Sequence, residues 1–91
     1  DFKMALIQAK ALDKRGENDG KIVYDIGETL LDFQEYDMAI DAFNHILNLN
    51  QKSEMYISSC INKLFAMTKS VSTKKDLKKI NNLYIKYIKS N

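Results

Sequence analysis

The chain has 91 residues, 45% hydrophobic and 29% charged, enough for one domain that buries about 60–65% of its unfolded surface, and too apolar for a disordered tail. No apolar run approaches the roughly 20 residues that cross a bilayer, no signal-peptide pattern opens the chain, and a single cysteine, Cys60, excludes an internal disulfide. The formal net charge of +2 is unevenly spread: residues 69–91 hold seven lysines against the one acid Asp76, a net +6, while residues 1–68 hold seven basic against eleven acidic side chains, a net −4.

Zero Pro, three Gly and few Val or Thr point to an all-α chain, because few positions force the backbone out of helix and strand formers are scarce. With no secretory feature the expected location is cytoplasmic, and the opening Asp1-Phe2-Lys3 reads as a piece of a longer protein.

Residues 2–14 place Phe2, Ala5, Leu6, Ala9 and Leu12 on one helical stripe. The stretch from Arg15 to Gly20 is turn chemistry, with a helix start at Asn18 or Asp19. Residues 20–34 then carry Val23, Ile26, Gly27, Leu30 and Leu31 at i, i+3, i+4, i+7, i+8, an amphipathic helix. Gln34-Glu35-Tyr36 is so short a link that its flanking helices must be antiparallel neighbours. From Asp37, residues 37–50 align Ala39, Ile40, Phe43, Ile46 and Leu47; from Ser53, residues 53–68 repeat the amphipathic spacing with Ile57, Cys60, Ile61, Leu64 and Phe65. From Thr73, residues 73–89 put Leu77, Ile80, Leu83, Tyr84, Tyr87 and Ile88 on one stripe with lysines opposite.

Sliding the chain by 34 residues lays Phe2, Met4, Ala5 and Leu6 over Tyr36, Met38, Ala39 and Ile40, then Ala9 over Phe43 and Leu12 over Ile46. The same offset lays Val23, Ile26, Leu30 and Leu31 over Ile57, Cys60, Leu64 and Phe65. The residues that carry the repeat are Gly27, Tyr36, Ala39, Phe43 and Ile46: Gly27 and Ala39 are small where two helix backbones approach closely, while Tyr36 and Phe43 fill the gap between neighbouring hairpins. This 34-residue helix-turn-helix period resembles the tetratricopeptide repeat family. It departs from the family in having Val23 beside Tyr24 where a large aromatic is usual, and Gln51 where a Pro is usual.

On that resemblance residues 1–15 are the second helix of a truncated repeat, 20–53 a complete repeat, 54–68 the first helix of the next, and 73–89 a basic capping helix without the repeat's small-residue site. The implied architecture is a short right-handed superhelix of antiparallel hairpins. Further repeats upstream would cover Phe2, Leu6 and their neighbours, whose apolar surface is expected to be exposed.

No catalytic residue, metal ligand or cofactor site is expected. His45 and Cys60 lack a recognisable oxyanion loop and orienting acid, so His45 reads as a solvent-facing residue and Cys60 as a small core residue. The Gly16–Lys21 stretch lacks the spacing and hydroxyl of a phosphate loop and the ligand pattern of a calcium loop. The resemblance instead implies a non-enzymatic protein-binding scaffold whose concave groove is lined by the first helix of each hairpin. Those positions are Lys21, Tyr24, Asp25, Glu28, Leu31 and Asp32, followed by Met55, Ser58, Ser59, Asn62 and Phe65. Some members clamp a C-terminal carboxylate with Lys and Asn, a pattern met here only by Asn62; Asp25, Glu28 and Asp32 favour a basic or amphipathic segment instead.

The lysine-rich helix, with Lys74, Lys75, Lys78, Lys79 and Lys86 as candidate basic patch, reads first as a solvated capping face. Contact with an acidic protein or anionic lipid, and a phosphate-binding patch for nucleic acid, are the other readings. Two further classes are a regulatory or peptide-sensing module of a larger transcription or signalling protein, and a self-assembly piece that pairs through its N-terminal helix.

Overall fold

The computed structural model describes residues 1–15, 19–49, 53–70 and 74–90, with backbone only at 74–77 and 90. These residues form five helices, α1 (Phe2–Lys14), α2 (Lys21–Asp32), α3 (Tyr36–Leu49), α4 (Tyr56–Ser70) and α5 (Lys74–Ser90), and the described chain is all-α. Each helix packs on its chain neighbour. In addition α1 touches α3 and α2 touches α4 among the described residues.

Helix boundaries follow from local chemistry. Asp1 caps α1, its carboxylate accepting from the Lys3 amide at 2.9 Å. Neither Asp37 nor Asp19 is the cap expected of it. Gly20, at φ 87°, is the residue that enters α2, and α3 begins one residue early, at Tyr36, so that Asp37 lies in its first turn where its charge complements the helix dipole. At the start of α4, Ser53 accepts from the Met55 amide at 3.2 Å. The expected starts at Asn18 and Thr73 lie outside the described residues.

The α2–α3 turn closes by two reverse bonds, from the Gln34 amide to Leu31 and from the Glu35 amide to Leu30, at 3.0 and 2.9 Å. Gln34 holds the left-handed conformation (φ 60°) that this arrangement requires and that Gly more often supplies.

The core lies among α1, α2 and α3. Leu6 and Ala9 of α1 meet Val23 of α2 and Ala42 and Ile46 of α3; beside them Leu30 packs with Ala39 and Phe43. Phe43 is fully buried, and a Cβ added at Gly27 would stand 2.9 Å from its ring and 3.3 Å from the Ala42 methyl. Gly27 is therefore a point at which α2 and α3 lie too close to admit a side chain. At the N-terminal face the expectation of an exposed Leu6 is corrected. Leu6 points into this core, Phe2 is half-buried and stacks on Phe33 with centroids 5.5 Å apart, and the open apolar side chains are Met4 and Ile7.

Helix α4 is rotated from its expected orientation. Its buried residues are Tyr56, Ser59, Cys60 and Ala66, whereas Ile57 and Ile61 are 55% and 60% exposed and Phe65 is exposed as well. Val23, the 34-residue counterpart of Ile57, is enclosed because α2 is packed by both α1 and α3. In α4 the Tyr56–Ser59–Cys60 side is buried, and α5 leans over the remainder without closing it. In α5 itself Ile80, Leu83 and Tyr87 are half-buried, while Tyr84 and Ile88, expected on the same stripe, are exposed and border an open apolar seam with Ile57 and Ile61. Leu77 falls in the stretch described by backbone alone.

Two substitutions probe these features. Gly27→Ala gains helix propensity but presses a methyl into an enclosed ring, and should destabilise the chain by about 1–3 kcal/mol in urea unfolding. Ser59→Ala removes a fully buried hydroxyl that has no hydrogen-bond partner among the described residues; it should stabilise by about 1 kcal/mol and raise the melting temperature by about 4–8 °C.

Candidate interaction surface

The residues expected in the groove come from α2 and α4, two helices that touch. Lys21, Asp25, Glu28 and Asp32 follow one face of α2 at i, i+4, i+7 and i+11, and all four are exposed. Tyr24 is half-buried, set edge-on to Phe43 (centroids 5.9 Å apart, planes at 69°), and its hydroxyl accepts from the Asn62 amide of α4 at 3.4 Å. That bond joins the two helices across the face. Leu31 and Met55 are half-buried against the core clusters and offer only part of their surface. Ser58 and Phe65 are exposed, with the Lys69 ammonium 5.5 Å over the Phe65 ring. Ser59 is corrected: it is fully buried beneath this face and does not line it. Of the repeat-packing residues, Gly27, Ala39, Phe43 and Ile46 sit in the α2–α3 core and Tyr36 is half-buried at the start of α3.

His45 is also corrected. It does not face open solvent; its Nε2 lies 2.6 Å from Oδ2 of Asp13, a carboxylate whose side chain is only 1% exposed. The other oxygen, Oδ1, accepts from the Gly20 amide at 2.7 Å. One carboxylate thus ties the end of α1 to the start of α2 and to the middle of α3. A carboxylate accepts only, so the imidazole must present a proton at Nε2. The signal in the sequence was Asp13 itself, which shares the stripe of Leu6 and Ala9 at i+7 and i+4 and therefore needed a buried partner.

A second polar cluster joins α4 to α5. The Lys63 ammonium donates to the Tyr87 hydroxyl at 2.7 Å and lies 5.4 Å from the centre of its ring. Burial pulls the Lys63 pKa down from its ordinary value, with the nearby Cys60 opposing. Burial pushes the Cys60 thiol up, against the opposing pull of Lys63, and likewise raises the Tyr56 and Tyr87 hydroxyls. The Cys60 sulfur is thus held as a neutral thiol in a buried position and has neither the access nor the charge of a nucleophile.

Among the described residues no group of three or more His, Cys, Asp or Glu side chains is placed to hold a metal ion, and no helix is long and apolar enough to cross a membrane. Of the basic-patch residues, Lys78, Lys79 and Lys86 are exposed; the side chains of Lys74 and Lys75 lie outside the described residues. No family model, curated protein or solved structure matches the chain.

The raised acids set a pH dependence with a definite sign. Cys60, Tyr56 and Tyr87 favour folding in their neutral forms, so their contribution is complete below their unfolded pKa values and is lost as pH rises through the folded ones. Lys63 acts oppositely, but it is one group against three. Denaturant midpoints should therefore fall as pH rises above about 8.5, and native Cys60 should react with a thiol reagent at least about tenfold more slowly than the urea-unfolded chain at pH 8.

Proposed function

We propose that the chain is a non-catalytic protein-binding module, a short stack of tetratricopeptide-like hairpins that takes a basic or amphipathic segment on the α2–α4 face. The observation that carries this reading is the Asn62–Tyr24 bond, which draws α2 and α4 into one surface bearing the exposed carboxylates of Asp25, Glu28 and Asp32. Beside them, half-buried Tyr24 and exposed Phe65 supply rigid aromatic area of the kind that anchors a partner. The three carboxylates repel a C-terminal carboxylate and attract lysine or arginine, so the charge selects the sign of the ligand while the rings supply contact.

The α1–α3 and α2–α4 contacts and the Gly27–Phe43 approach support the superhelical reading, since small-on-large packing at one hairpin is what such a stack repeats. The test is fluorescence anisotropy of a labelled amphipathic Lys/Leu peptide at about 50 mM salt. The surface pair Glu28→Lys with Asp32→Lys, and separately Phe65→Ala, should each weaken binding by about tenfold or more without changing the circular dichroism. Equal binding by wild type and charge-reversed protein would remove the assignment.

A further inference from the structure

Every helix pair two apart in the chain makes contact except one. Among the described residues α1 reaches α3 and α2 reaches α4, but the backbone of α5 comes close to that of α4 and not to that of α3. The missing contact leaves a trough between α3 and α5 with α4 as its floor. It runs as two continuous sections that share Asn44, Lys63 and Leu83.

Its described charged lining is basic. Lys79 and Lys86 stand on the α5 wall, Lys63 lies on the floor shared by both sections, and none of the described side chains that line either one is an aspartate or glutamate. Lys79 and Lys86 are seven residues apart, two helical turns or about 10.5 Å. Opposite them Asn44 and Asn48 of α3 are one turn apart, about 6 Å, close to the two-residue repeat of an extended chain, about 6.7 Å. Primary amides at that interval can both donate to and accept from a peptide backbone.

Lys63 supplies the strongest pull. It is half-buried, its hydrogen bond goes to a neutral hydroxyl, and no carboxylate of the described residues pairs with it. Burial has already pulled its pKa down, which is the signature of an ammonium short of counter-charge. An anion in the trough would meet a cation that has lost part of its water, where attraction is stronger than at an open surface.

We propose that this trough binds an acidic peptide segment of a partner protein, laid between α3 and α5 with its side-chain carboxylates on Lys63, Lys79 and Lys86 and its backbone along Asn44 and Asn48. The asparagines favour this class of ligand, since their spacing matches the repeat of an extended polypeptide backbone. Nucleic acid and anionic lipid carry the same sign of charge and are separated from it by the test below. The proposal is independent of the α2–α4 face, which is lined by different residues of the opposite charge.

The test uses the full chain and a fluorescein-labelled peptide of alternating Glu and Leu, followed by anisotropy at about 50 mM salt. Wild type should bind, with affinity falling steeply as salt rises. Lys79→Glu and Lys86→Glu change exposed residues and should each weaken binding by about tenfold, Lys63→Gln should weaken it comparably, and Lys14→Glu, an exposed residue of α1, should leave it unchanged. If Lys63→Gln fails to fold, the two surface variants alone decide the outcome. Absence of binding by wild type, binding indifferent to both surface reversals, or tighter binding of generic duplex DNA or phosphatidylserine vesicles than of the peptide would each overturn the proposal. Because the α2–α4 assignment is read with a basic peptide and with Glu28 and Asp32, either surface can fail without the other.

Discussion

The fold depends on a contact between a residue with no side chain and the largest fully buried one. Gly27 lets α2 come close enough for the Phe43 ring to lie against its backbone, with Ala39 and Ala42 keeping α3 equally slim along the same line. Once this pair is in register, Leu30, Val23 and Ile46 are enclosed with it, and Tyr24 is set edge-on to Phe43 with its hydroxyl toward α4. The short turn at Phe33–Glu35 serves the same contact. It accepts a left-handed Gln34 because the two reverse hydrogen bonds and the hairpin packing offset the roughly 1–2 kcal/mol that such a backbone costs a non-glycine residue.

Asp13 plays the corresponding role for α1. A carboxylate removed from water is costly unless its lone pairs are used, and here one oxygen takes the Gly20 amide and the other faces His45. Gly20 is constrained twice by this arrangement: its left-handed backbone presents the amide to Asp13, and a Cβ there would stand 2.7 Å from Ile46. The carboxylate consequently fixes the angle at which α1 meets the α2–α3 hairpin. The outer Lys10–Asp41 pair, at 2.7 Å but on the surface, adds little by comparison.

The helices were legible because each has apolar residues at helical spacing and the links between them are short. The rotation of α4 was not legible, for a physical reason. Cys60 belongs both to the stripe of Ile57, Ile61 and Leu64 and to that of Tyr56, Ser59 and Lys63, and hydrophobicity favours the first. Packing decided for the second, which buries Tyr56, Ser59 and Cys60 and half-buries Lys63, whose ammonium is met by the Tyr87 hydroxyl of α5. The face containing Tyr24, Asp25 and Glu28 was readable from spacing on a single helix, whereas the Asn62–Tyr24 bond needed the distance between two. The trough was beyond reach of any sequence pattern, since it arises where two helices fail to touch. Lys79 and Lys86 could be seen as a basic run, but nothing in their spacing announced Lys63 or the asparagines opposite.

That missing contact also bears on stability. A helix held by one neighbour has few buried apolar atoms to lose on opening, and among the described side chains of α5 none is buried. Its described attachment to α4 includes the half-buried Ile80, Leu83 and Tyr87 and the bond from Lys63, which is little apolar burial for a helix of this length. A ligand seated between α3 and α5 would touch both and supply the bridge that the fold lacks. Binding in the trough and docking of α5 are therefore linked equilibria: whatever binds only the docked helix stabilises it by mass action, and a change that weakens the Lys63–Tyr87 contact lowers affinity by the fraction of time α5 spends open. The interior of the hairpin stack, fixed by Gly27, Phe43 and Asp13, takes no part in this exchange, which confines the coupling to α5 and the surfaces of α3 and α4 that border the trough.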